Sequence, residues 1–205
     1  MIKCEVTCCG VISKAAEVKE NNKTHESFLS FKVKYPVRDR SGEMKDMEIS
    51  VSMPGEKGQA GIYTAGRRVR LSGTLVPKMR KDKLFFDLRC EGGKDILAKS
   101  TESDALEGTM EFRGSIGKKG IDVRTGKNDK PYKGFSAYSM EKHGEEKEYT
   151  WVRFLYFDPK DGEDFLQAKA LVECKGDLRL GVFKDKISLE CLLKEVSPWE
   201  LPVKE

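Results

Sequence analysis

Apolar and polar residues alternate with a period of two through most of this chain, the pattern of strands that bury one face. In RRVRLSGTLV (67–76), Val69, Leu71, Gly73 and Leu75 share one side. In ALVECKGDLRL (170–180), Val172, Cys174, Gly176 and Leu178 repeat them 103 positions later. A second alternating strand follows each: Leu84, Phe86 and Leu88 in KLFFDL, and Ile187, Leu189 and Cys191 in KISLEC, again 103 apart. Upstream, Gly10 in CCGVISK matches Gly114 in FRGSIGK, and Phe31 matches Phe135, both at 104. Several matches in one order, with one residue of drift, point to an internal duplication.

Each copy spells five strands. The first (2–18; 109–123) is interrupted by Gly10 or Gly114, as a sharply bent strand requires. Polar turns lead to strand two (28–35; 132–140), and a long charged loop leads to strand three (46–53; 149–157). A Gly-rich or weakly helical link precedes strand four (68–76; 171–180), and a hairpin gives strand five (83–90; 186–193). Five strands in this order fit an all-β protein made of two tandem five-stranded OB-fold barrels of Greek-key type. The expected division is an N-terminal barrel at 1–93, a linker at 94–107 and a C-terminal barrel at 108–205.

One stretch is unusual for a strand at a surface. EYTWVRFLYFD (148–158) is bulky on both faces, with Val152, Phe154 and Tyr156 on one and Trp151, Arg153, Leu155 and Phe157 on the other. The duplication settles which is the core. Strand three of the first copy, MEISVSM, alternates cleanly with Met47, Ile49, Val51 and Met53 inside, and a shift of 103 puts Val152, Phe154 and Tyr156 inside. Trp151, Arg153 and Phe157 then face outward, and strand two adds Tyr132 and Tyr138 to the same outer surface. Strands two and three form the face on which OB-folds bind oligonucleotides. Exposed rings there can stack on unpaired bases at about 1–3 kcal/mol each. Arg153 can add a phosphate or cation–π contact. A protein interface is the competing use of such a patch. The first copy's equivalent face is cationic rather than aromatic, with Phe28, Lys32 and Lys34, and Glu48 at the position of Trp151. Arg38 and Arg40 follow in the next loop, and the hairpin VPKMRKDK brings Lys78, Arg80, Lys81 and Lys83.

Composition adds less. The 205 residues carry 35% charged side chains and a net charge of +4, unevenly spread: 19 basic and 13 acidic residues in 1–98, against 19 and 21 in 99–205. A +6 half and a −2 half suggest units with different surfaces. Six cysteines and two histidines show no metal-site spacing, and the cysteines sit in strand-like runs as small hydrophobes in a reducing compartment. No cofactor or metal is expected. There is no membrane-span-length apolar run and no leader pattern in MIKCEVTCCG, so a cytoplasmic location without membrane association is expected. No HExxH, phosphate-cradling loop or nucleophile–base pair supports an enzyme. GKKG (117–120) is a bend or loop, with phosphate contact a lesser alternative.

YTWVRF (149–154) and TAGRRVRLSGTL (64–75) resemble strand three and the entry to strand four in the bacterial single-stranded DNA-binding protein family. The resemblance implies sequence-tolerant binding of single-stranded DNA, with RNA also possible, Trp151 as the stacking residue, and a homodimer assembling four barrels from two chains. The C-terminal SPWELPVKE departs from that family's long spacer and acidic, apolar tip, and is expected to pack as a short tail around Pro198 and Trp199. The function expected is therefore coating of single-stranded DNA in replication, recombination or repair, through aromatic stacking and Lys/Arg phosphate contacts. The alternative is an OB-scaffold interaction module, favoured by the acidic second half and the segment KHGEEKE (142–148).

Overall fold

The computed structural model describes residues 1–39, 41–81, 83–91, 97–126, 129–157, 159–160 and 162–200. Arg40, part of the expected cationic loop, and residues 94–96 of the expected linker lie outside the described residues. The described chain is almost entirely β, in sheets whose order is OB-fold-like. It divides into two compact units. The first holds Cys4–Gly108 with Val182–Ile187; the second holds Thr109–Gly181 and the chain from Ser188 on, with Met1–Lys3.

In the first unit the strands are β1 (Ile2–Glu20), β2 (Ser27–Arg38), β3 (Met44–Pro54), β4 (Arg68–Arg80) and β5 (Lys83–Cys90), with a single helical turn α1 (Lys57–Ala60) before β4. β1 pairs antiparallel with β4 through Cys4–Val11 and then, from Val11 onward, with β2. The switch of partner falls beside Gly10, where the sequence pattern placed the interruption. β2 pairs with β3, β3 runs parallel to β5, and β5 pairs with β4. The second unit repeats this with β6 (Ala105–Ile116), a short β7 (Asp122–Thr125), β8 (Pro131–His143), β9 (Glu146–Tyr156), β10 (Leu171–Phe183) and β11 (Lys186–Pro198). β6 pairs with β10 and, at Ser115 and Ile116, with β8; β8 pairs with β9, β9 runs parallel to β11, and β10 adjoins β11.

The registers repeat as well as the order. Gly10 lies opposite Val69 and Gly114 opposite Val172; Phe31 opposite Val51 and Phe135 opposite Phe154; Ile49 opposite Phe86 and Val152 opposite Leu189. The single-residue drift lies in the connection between the second and third strands. A long charged loop was expected there in both copies. The first unit has residues 39–43, but the second has only Gly144 and Glu145, and KHGEEKE is drawn into paired strand, with Lys142 opposite Lys147. Glycine at the first loop position, with φ 65°, permits the tight turn. The later hairpins have left-handed backbone at Lys81 in the first unit and at Lys184 and Asp185 in the second.

Period-two alternation buries one face of each strand. Leu29, Phe31, Val33, Ile49, Val51, Leu71, Leu75 and Leu88 form the core of the first unit. In the second, Phe154 stacks on Phe135 and meets Phe112 edge-on, both with centroids 5.0 Å apart, within a core that includes Tyr156, Val172 and Leu189. All six cysteines are buried, and burial pushes the thiols of Cys8, Cys90 and Cys191 up to about 12. They behave as the small core hydrophobes the sequence suggested. The described part of the expected linker, from Leu97, belongs to the first unit and is pinned to β4: Leu97 bridges to Val69, Asp104 pairs with Arg68, and Glu102 pairs with Arg70. The end of the chain is likewise held where described, through the Trp199 amide donating to the Leu171 carbonyl at 3.0 Å.

Two glycine positions are required by close approach. A Cβ at Gly10 would come 2.6 Å from the Lys34 carbonyl oxygen, and one at Gly114 would collide with the carbonyl of Tyr138, the residue matching Lys34. Gly73 and Gly176 face the carbonyls of Arg89 and Leu192 in the same way, again a matched pair. Substituting Gly176→Ala drives a methyl into the Leu192 carbonyl and the Cys191 sulfur. We expect a loss of about 1–3 kcal/mol, read as a lower urea midpoint at unchanged m-value.

Candidate functional site

The outer faces of β8 and β9 form a ladder of cross-strand pairs. Tyr138 lies opposite Trp151, Met140 opposite Tyr149, Ser136 opposite Arg153 and Gly134 opposite Leu155. The core-facing partners Phe135, Ala137, Val152, Phe154 and Tyr156 are buried, so the intervening side chains point away from the core. Trp151 is 49% exposed, Phe157 50% and Tyr149 42%, while Tyr132, Tyr138 and Arg153 are half-buried.

The rings gather into two clusters. Tyr138 touches Trp151 with centroids 5.0 Å apart and Tyr149 at 5.4 Å, the latter edge-on. Tyr132 and Phe157 form the second cluster, at 5.0 Å. Ser136, Arg153 and Gly134 lie between them along the strands. A strand rises about 3.3 Å per residue, so Trp151 and Phe157 stand roughly 20 Å apart. Such spacing offers two stacking stations to one extended ligand. Sequence reasoning missed Tyr149, which pairs with Met140 only because the short Gly144 turn extends both strands.

The loop after β6 seats the indole. A Cβ at Gly117 would lie 3.1 Å from the Trp151 Cζ3 atom, and the Gly117 amide donates to the Ser136 carbonyl at 2.8 Å. Gly117 is buried, whereas Lys118 and Lys119, the next two residues, are exposed. GKKG is thus a bend, as expected, and it also places two ammonium groups in sequence directly after the residue beneath the indole.

The first unit's corresponding face differs. Phe28 is half-buried, and the lysines of the same strand are already paired across to β3. Lys32 Nζ donates to Glu48 Oε1 at 2.5 Å, Lys34 Nζ lies 3.4 Å from Asp46 Oδ2, and Ser13 donates to Glu48 Oε2 at 3.3 Å. The Lys32 hydrogen bond is the main cause holding the Glu48 carboxyl below the usual carboxylate range. Lys78 is likewise paired, to Asp87 at 2.8 Å. Among the described residues, Arg80, Lys81 and Lys83 have no carboxylate partner, and Phe85, 46% exposed, lies opposite Lys78 on the same hairpin. Exposed ion pairs are worth only about 0–1 kcal/mol, so phosphate can exchange for these carboxylates. The three paired lysines nevertheless offer less free charge than their number suggests.

Among the described residues no group of three or more His, Cys, Asp or Glu side chains could hold a metal ion, and no helix is long and apolar enough to cross a membrane.

No family model matches the chain, and no curated protein matches it. Solved structures similar to it include the wild-type single-stranded DNA binding protein from Thermus aquaticus, with 12% identity and a TM-score of 0.47 over 100% of this chain and 96% of that one. The mitochondrial single-stranded DNA binding protein Rim1 of S. cerevisiae covers 44% of this chain and 91% of its own, at 19% identity and a TM-score of 0.35. The Plasmodium falciparum SSB, solved in complex with ssDNA, covers 49% of this chain and 100% of its own, at 16% identity and a TM-score of 0.38.

Gly117→Ala tests the seat. The added methyl displaces the indole outward, and a red-shifted tryptophan emission with little change in thermal midpoint is expected. Emission identical to that of the parent protein would show that Gly117 does not support Trp151.

Proposed function

We propose that this protein binds single-stranded nucleic acid, DNA in the first instance, on the outer face of β8 and β9. The observation that carries the reading is the outward-facing ladder of Trp151, Tyr138 and Tyr149, with Tyr132 and Phe157 further along the same strands. Stacked bases need only flat apolar partners, so the interaction tolerates any sequence. The chain is read as two tandem OB-fold barrels, supported by β1 pairing with both β2 and β4, and β6 with both β8 and β10. In this account the second barrel supplies stacking. Arg80, Lys81 and Lys83 of the first barrel, which have no carboxylate partner among the described residues, together with Lys32, Lys34 and Lys78 once released from their carboxylates, supply phosphate contacts. A non-enzymatic role coating exposed strands in replication, recombination or repair follows from sequence-tolerant binding. A cytoplasmic homodimer is the assembly proposed, with the buried cysteines in keeping with a reducing compartment.

Replacing both Trp151 and Tyr138 by Ala removes two stacking partners, each worth about 1–3 kcal/mol. Affinity for labelled poly-dT, measured by fluorescence anisotropy, should fall more than tenfold. Unchanged affinity would reject the site, and a parent protein that ignores oligonucleotides altogether would favour the protein-interaction alternative.

A further inference from the structure

Between the two aromatic clusters stands Arg153, and its guanidinium is already engaged. Arg153 Nη1 donates to Glu190 Oε1 at 3.4 Å, and the side chains are only 36% and 24% exposed. Glu190 sits directly opposite Arg153 on the parallel neighbour β11. On its other side the carboxylate meets backbone: a Cβ at Gly181 of β10 would come 3.4 Å from Glu190 Oε1.

The matched row of the first unit shows a different arrangement. Asp87 takes the place of Glu190, Lys78 that of Gly181, and Ser50 that of Arg153. There the carboxylate is neutralised from β4, by Lys78 at 2.8 Å, and the third strand presents only a small hydroxyl. In the second unit the cation has moved strands. Gly181 offers Glu190 no charge, and among the described residues Arg153 is its only ion-pair partner.

We propose that Glu190 is a positioning residue for the nucleic-acid site. It draws the Arg153 guanidinium toward β11 and neutralises it, so that the stretch between the aromatic clusters accepts bases rather than gripping phosphate. The inference rests on the nucleic-acid reading above and adds how its salt dependence is set. A strand lying across both clusters gains stacking at each end and little ionic attraction between them. Binding is then less salt-sensitive than the presence of an arginine would suggest, since a phosphate must displace Glu190 before Arg153 can contribute.

Glu190→Gln keeps the shape of the side chain and removes its charge. A double-mutant cycle with Arg153→Ala separates release of the arginine from simple loss of a negative charge. Binding of labelled oligo-dT would be titrated at several salt concentrations for the parent, both single variants and the double variant. Glu190→Gln should bind about two- to tenfold tighter at low salt. Its plot of log affinity against log salt should steepen by about 0.7, one released counterion's worth on a single strand. In the Arg153→Ala background both gains should vanish. An unchanged affinity and slope in Glu190→Gln, or a gain that persists without Arg153, would overturn the proposal. Failure of the parent protein to bind oligo-dT would instead overturn the nucleic-acid reading, so the two failures are distinguishable.

Discussion

Phe135 and Phe154 lie opposite each other on β8 and β9, their rings 5.0 Å apart and nearly parallel, with almost no exposure to water. In a two-residue repeat, fixing one pair fixes the face of every other side chain on both strands. Tyr138 and Trp151, three residues from this pair in opposite chain directions, are thereby turned outward. A slip of one residue would bury the indole and expose Phe154. That exchange is opposed by the loss of a buried aromatic cluster; truncating a single such ring costs about 3–5 kcal/mol. The outward ladder is therefore a consequence of core packing.

The two units show how one framework carries two surfaces. Backbone constraints are retained in matched form: a glycine beneath a carbonyl at Gly10 and Gly114, and again at Gly73 and Gly176. Outer side chains are under no such constraint and have diverged. Glu48 with its Lys32 partner stands where Trp151 stands beside Ser136, and Lys34 stands where Tyr138 does. A surface that balances its charges internally offers little to stack on, and its lysines meet phosphate only by leaving their carboxylates. A surface of clustered rings favours unpaired bases. The duplication has thus kept the strands and separated the chemistry.

Much of this was legible in the sequence because both signals were strong. Alternation identified the strands, and the offset of 103 or 104 transferred the clean inside and outside assignment of Met47–Met53 to the ambiguous Trp151 strand. What alternation cannot supply is which side chains meet across strands. The pairing of Lys32, Lys34 and Lys78 with carboxylates depends on register, as does the contact of Tyr149 with Tyr138. KHGEEKE read as a charged loop because its composition is polar throughout. A two-residue turn at Gly144 nevertheless allows such a segment to remain paired, with Lys142, Glu146 and Lys147 exposed. The segment before β6 had the composition of a linker, yet Asp104 and Glu102 find arginines on β4 that its own local pattern does not reveal.

A Trp151 indole that meets unstacked bases reports on the contact most directly through its own fluorescence. In a Trp199→Phe chain, Trp151 is the only indole present. Titration with unlabelled oligo-dT should quench its emission, with saturation at the same stoichiometry as binding followed by an independent signal. Saturated binding with no change in that emission would place the strand elsewhere and contradict the account.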